Sequence, residues 1–209
     1  MTKSNILLSA AALAFATAGA ASPALAQARA VAVISTDGAI QGSQAFQNAQ
    51  QALRTTYAAQ YQQLQTRQQA LQGELTALQT AYNTAVQAQG ATAESVRPQA
   101  TALAQKQQAA QAELQRLQEP LALAEAYVRE QIGVHLDAAA KAAMQQKGVD
   151  LALRPEAIVV AAAGSEANLT DEVVAELNRR VQNVAVQPPT GWQPGQTMQA
   201  ARAQQSQQQ

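Results

Sequence analysis

The sequence predicts an α+β chain that is mostly helical: a long antiparallel helical hairpin, a coiled-coil arm, projecting from a small β body that N- and C-terminal strands form. Three observations predict it. Apolar residues recur every seven positions through residues 41–147, a helix-breaking segment divides that stretch, and short β-branched runs lie just before and just after it. A seven-residue repeat in two adjacent registers is the seam of a coiled coil. Two limbs joined by a short break fold back on each other, which returns the second end of the chain to the first.

On the outgoing limb one register holds Tyr57, Leu64, Leu71, Leu78 and Ala85, and the other holds Tyr61, Gln68, Leu75 and Tyr82. The return limb repeats the arrangement with Leu114, Leu121, Val128 and His135 beside Leu103, Ala110, Leu117, Ala124 and Gln131. Between them AQGATAESVRP, residues 88–98, places the tip. At ~1.5 Å per residue, limbs of roughly 45 to 50 residues make an arm on the order of 70 Å long. Three positions weaken it. Pro120 removes a helical hydrogen bond at ~3 kcal/mol or more, and Gly73 and Gly133 each cost roughly 1 kcal/mol against Ala. These are the hinge candidates, with two readings: a bend that lets the arm open and close, or a static kink.

The ends supply the base. Residues 1–26 have the form of a cleavable secretory signal peptide: Lys3, an apolar run from Ile6 to Ala18, and the small-x-small site Ala24-Leu25-Ala26. The run is shorter than the ~20 residues a membrane-spanning helix needs, so the mature chain is expected to start at Gln27 in the periplasm. Residues 27–40 hold the first strand, marked by Val31, Val33 and Ile34, with Thr36-Asp37-Gly38 as a turn. Residues 148–186 begin at Gly148, a helix C-cap. They continue through a strand at Val149–Leu153, a turn at Arg154-Pro155-Glu156 and a second strand at Ala157–Ala161. The last helix is capped by Thr170 and has an apolar face of Val173, Val174, Leu177, Val181 and Val184. Val31, Val33, Leu151, Leu153, Ile158 and Val160 are the expected core of the body and of an oligomer. So small a sheet leaves edge strands open, and association of several copies closes them. Residues 187–209, with Pro188, Pro189, Pro194 and a Gln-rich end, read as a disordered tail.

Composition narrows the function. With Lys3 removed, 13 basic residues face 14 acidic ones, and a neutral chain is a poor nucleic-acid binder. The absence of Cys excludes thiolate metal sites, disulfides and Cys nucleophiles. His135 is the only histidine and has no ligand cluster around it, so a seam role is preferred to a metal site. Asn168-Leu169-Thr170 matches a glycosylation sequon, but Thr170 as a helix cap is the better account. Arg179-Arg180 answers the negative end of the last helix. Trp192 is a lone aromatic in the tail. With no phosphate loop, dinucleotide fingerprint or nucleophile motif, neither an enzyme nor a cofactor is expected.

The AVAVIS strand, the Gln- and Ala-rich hairpin and the closing segment VDLALRPEAIVVAAAGSEANLTDEVVAELNRRV together resemble the Skp/OmpH family of periplasmic chaperones. The closing segment carries the resemblance: a "VDLVL"-type strand, a second strand after a short turn, and an "NLT" step into a final helix. The resemblance implies a homotrimer in which pooled strands make a barrel-like body. Three arms then enclose a cavity that holds unfolded outer-membrane proteins without ATP. The arm here departs from the basic arms of well-known members. Its eight basic residues stand against seven acidic ones, so no lipopolysaccharide site is carried over. A wall of Gln, Ala and scattered Leu suits weak, sequence-blind capture of clients. Tyr57, Tyr61 and Tyr82 are the aromatic client-contact candidates, although their heptad positions first suggest packing of limb on limb. The other reading is a structural coiled-coil spacer, or an adaptor, of the cell envelope.

Overall fold

The computed structural model describes residues 31–158 and 168–207. The expected signal peptide, Val160 and most of the expected second strand lie outside those residues. Two strands, β1 (Val31–Val33) and β2 (Leu151–Leu153), pair in parallel with Val31 opposite Leu151, Ala32 opposite Ala152 and Val33 opposite Leu153. On the other edge of β1, the Leu169 amide donates to the Val33 carbonyl at 2.9 Å, and Asn168 forms an isolated parallel bridge to Val33. The two ends of the chain therefore meet. Parallel strands need a crossover rather than a tight turn, and here the crossover is most of the molecule.

Helix α1 (Thr36–Gly42) replaces the expected turn at Thr36-Asp37-Gly38. The reason is local. Ser35 is an N-cap whose Oγ accepts from the Gly38 amide at 3.1 Å, and Asp37 sits in the first turn where the helix dipole favours it. A Cβ on Gly38 would stand 2.8 Å from that Oγ, so the glycine serves the close approach of the cap. Ser43 separates α1 from α2 (Gln44–Thr56) and repeats the device, accepting from the Phe46 amide at 3.2 Å.

Tyr57 interrupts the helix for one residue before α3 (Ala58–Gln87). The tip is shorter than expected: α4 (Ala93–Gly133) starts at once from a capping box in which Thr92 and Ser95 satisfy each other's amides. Pro98, read as the end of the break, is carried inside α4, as is Pro120. Val134 and His135 separate α4 from α5 (Leu136–Lys147). That helix ends as expected on Gly148, in the left-handed conformation at φ 66°. A 3-10 turn at Pro155–Ala157 follows β2. Helix α6 (Thr170–Arg180) does not use Thr170 as its N-cap: Leu169 holds that position, and Asn168 Oδ1 accepts from the Thr170 amide. Thr170 instead turns its hydroxyl to the Ser35 amide at 3.0 Å, tying α6 to the start of α1.

The core shows where the arm really begins. Phe46, Ala49 and Leu53 of α2 pack with Ala124, Val128 and Ile132 of α4, Ala139 and Ala143 of α5, and Val173 and Leu177 of α6. Both lower limbs are thus part of the body. A heptad stripe looks the same in sequence whether it meets one helix or several, which is why the periodicity assigned all of 41–147 to the arm. The tail, expected to be disordered, contains a helix: Gly195 at φ 98° leads into α7 (Gln196–Ser206). Gln, Ala, Met and Arg are good helix formers, and the composition that suggested disorder concealed a helix with a thin apolar stripe. Among the described residues no helix is long and apolar enough to cross a membrane.

Candidate functional site

The surface with most to offer is the paired α3 and α4. Arg67 meets Glu113, and farther along α3 Glu74 meets Lys106, which lies earlier on α4. The two helices therefore run antiparallel. Leu71 and Ala110 are sealed between them at 2% and 4% exposure, with Leu64, Leu78, Leu103, Leu117 and Leu121 half-buried along the same line. One predicted register of the outgoing limb therefore faces α4. The other does so only near the tip: Leu75 and Tyr82 are half-buried, whereas Gln68 and Tyr61 face solvent, Tyr61 at 41% exposure. Lower down, Gln60, Arg67 and Glu74 take the inward places. A straight helix drifts ~20° per heptad against a strict seven-residue repeat, so the covered row shifts along its length.

That shift brings in a charged layer the hydrophobic pattern missed. The Arg67 guanidinium donates to both oxygens of Glu113, at 2.6 and 3.1 Å, and to Glu74 at 2.8 Å, while Lys106 closes on Glu74 from the other limb. Lys106 and Arg67 hold the Glu74 carboxyl below its ordinary range, Arg67 does the same to Glu113, and the two carboxylates raise the guanidinium. The signal was in the sequence: each limb carries a base and, seven residues on, an acid, Arg67…Glu74 and Lys106…Glu113. Antiparallel alignment makes these complementary. A slip of one heptad sets Arg67 against Lys106 in one direction and Glu74 against Glu113 in the other. The layer therefore fixes register. Its groups remain open to water, where such pairs add little stability.

Each side of the seam has an open furrow. One, of about 490 Å³, is lined by Leu71, Leu75, Leu103 and Leu114 among Gln68 and Gln107. The other, of about 460 Å³, runs past Ala59, Gln63, Ala70, Arg116 and Leu117. Apolar floors with amide rims offer hydrophobic contact together with both donors and acceptors.

The structure does not gather the three tyrosines. Tyr57 is half-buried against the core at the α2–α3 junction, its hydroxyl 3.4 Å from the Val186 carbonyl and its phenol pushed up by desolvation. Tyr61 is one turn away in solvent, and Tyr82 lies roughly 30 Å farther along α3. Of the hinge candidates, Gly73 and Pro120 sit inside unbroken helices and Gly133 is the last residue of α4. His135 is half-buried at the α4–α5 junction, and among the described residues no three His, Cys, Asp or Glu side chains gather as a metal site.

Of the residues expected to form the core of the body and of an oligomer, the five within the described residues lie open or half-buried in one chain. The β1–β2 register puts Val31, Val33, Leu151 and Leu153 on one face of the sheet, opposite the face where Ala32 is buried at 1% exposure. Val31 is 47% and Leu151 53% exposed; Val33, Leu153 and Ile158 are half-buried. The chain's own core is instead built from Ala32, Ile34, Ile40 and the helices.

Seam, furrows and an open sheet face belong to a helical hairpin carried on a small body where two distant segments of the chain join. The chain belongs to the OmpH-like family: the family model described as outer membrane protein (OmpH-like) matches residues 30–177. Among solved structures it is similar to a candidate outer membrane chaperone (OmpH-like) from Caulobacter crescentus CB15. The identity is 22% over 74% of this chain and 87% of that one, with a TM-score of 0.44. No curated protein matches the chain.

Proposed function

We propose that this protein is an ATP-independent holding chaperone of the periplasm that binds unfolded outer-membrane β-barrel proteins and keeps them from aggregating before membrane assembly. The observation that carries the reading is the α3–α4 surface, where a furrow with a Leu floor and Gln rim lies on one side of a seam of fixed register, and a furrow of Ala, Leu117 and Gln beside the Arg67–Glu113 pair lies on the other. An unfolded barrel strand presents alternate apolar side chains and unpaired backbone groups, and such furrows answer both. Contacts of this kind are weak singly and combine by multivalency. Family membership supports the same reading. The apolar face of Val31, Val33, Leu151 and Leu153 is where copies of the chain join, three in the assembly we propose, so that their hairpins enclose a client. Export rests on the signal-like residues 1–26.

The test uses residues 27–209. A urea-unfolded outer-membrane β-barrel protein is diluted into the chain without nucleotide, and light scattering is followed against chain concentration. We expect scattering to be suppressed, with saturation near three chains per client. Unchanged aggregation at large excess sinks the reading and favours an envelope spacer.

A further inference from the structure

We infer that residues 182–206 form an intramolecular brace that holds the α3–α4 hairpin in one orientation on the body. After α6 the chain turns back across the roots of both limbs. On the first limb it meets Asn48, which donates to the Gln182 carbonyl at 3.1 Å, and Tyr57, whose hydroxyl faces the Val186 carbonyl. On the second limb the Gln131 amide pairs with both backbone groups of Ala185, at 2.8 and 3.0 Å. Beyond it Trp192 is buried edge-on against Tyr127, ring centroids 5.0 Å apart, with its indole N–H donating to Thr197 at 3.0 Å. Glu130 then supplies the start of α7 with the cap it lacks, accepting from the amides of Gly195 at 2.8 Å and Met198 at 2.7 Å. Such charge-assisted bonds at a helix N-terminus are among the stronger ones.

The position of these contacts gives them their meaning. Arg67 facing Glu113 and Glu74 facing Lys106 set a register that places Pro120 opposite Gln60, less than one turn from Tyr57. The backbone irregularity of the first limb and the missing hydrogen bond of the second therefore fall at one level. The hairpin swings most readily there. A swing changes the Tyr57 torsions and slides the root of α3 along α4. The brace reaches that level at Tyr57, whose hydroxyl faces the Val186 carbonyl, and its contacts with Asn48, Tyr127, Glu130 and Gln131 anchor it on the body just below. The family match ends at residue 177, so the brace lies beyond it.

The chain has no cysteine, so a pair of spin labels at Gln89→Cys in the tip turn and Gln145→Cys on α5 reports the hairpin's orientation directly. Labelled chain is diluted into excess unlabelled chain so that distances within one chain are read. The variants compared are a stop after Gln187, Trp192→Ala and Glu130→Gln. The expected result is a distance distribution about twofold broader in the truncated and Trp192→Ala chains, as one orientation gives way to several, and a smaller broadening in Glu130→Gln. If truncation unfolds the body, seen as lost helicity, the two point variants carry the test alone. Unchanged widths in the folded variants overturn the brace. The readout is a distance, so it stands or falls apart from any holding activity.

Discussion

Gly73 lies inside α3, and apart from the adjoining residues and backbone of its own helix no atom comes within 4 Å of the place a Cβ would take. Gly73→Ala therefore adds a methyl group to open space and removes unfolded-state freedom. It should stabilise the chain by about 0.5–1 kcal/mol, a rise in Tm of roughly 1–4 °C at this size. Thermal unfolding by circular dichroism measures it. If holding falls in the variant while Tm rises, the glycine is kept for motion. At this scale the sequence was partly legible. Leu71 and Ala110 could be found because one register of apolar residues at seven-residue spacing faces the partner helix. Arg67, Glu74, Lys106 and Glu113 could not, because a hydrophobic pattern takes no account of charges that drift into the seam. Thr170 was read as a cap from its neighbours, and only the fold brings the Ser35 amide to its hydroxyl.

The α3–α4 element has its own acid sensitivity. Glu74 and Glu113 have carboxyls held below the ordinary range by Lys106 and Arg67, and Glu172 is lowered chiefly by its bond to Lys147. A carboxylate lowered on folding lends stability that is present above its unfolded pKa, ~4.3, and is lost as pH falls through the folded value. The unfolding midpoint should thus hold level from neutral pH to about 5 and drop below about 4.3. Arg67→Gln should lower the midpoint at pH 7 only slightly, since pairs open to water add little, and should soften the acid drop, because the unpartnered carboxylates return toward their ordinary range. An acid drop identical in Arg67→Gln would remove the seam charges from the account. The helices themselves were readable by period and length. Their true ends were not, since the Thr92–Ser95 box starts α4 before Pro98 and the Ser35 cap makes a helix of an apparent turn. In the tail only Trp192 stood out, and nothing in the sequence named Tyr127 as its partner or Glu130 as the acceptor for the first amides of α7.

For the whole molecule the open sheet face decides assembly. If copies join there, Leu151→Asp places a charge against a desolvated face and should yield single chains of unchanged helicity, seen as a fall in mass by sedimentation. A mass equal to that of the parent protein would place the contact between copies elsewhere. The joining of the chain's ends was legible, because a hairpin must return to its origin. Which face of the strands turns inward was not, since alternation in three residues suits either face until Ala32 is seen buried and Val31 exposed.

The parallel pairing of β1 with β2 also orders events in time. Val31 and Leu151 are partners 120 positions apart, and closing so long a loop from a disordered chain costs about 4 kcal/mol of entropy before any sheet contact forms. The α3–α4 turn closes over a handful of residues, so local zippering comes first and carries the two strands toward each other. The sheet should then be among the last parts of the chain to form, and the apolar face we propose for contact between copies should come into being only once the distant tip has been made.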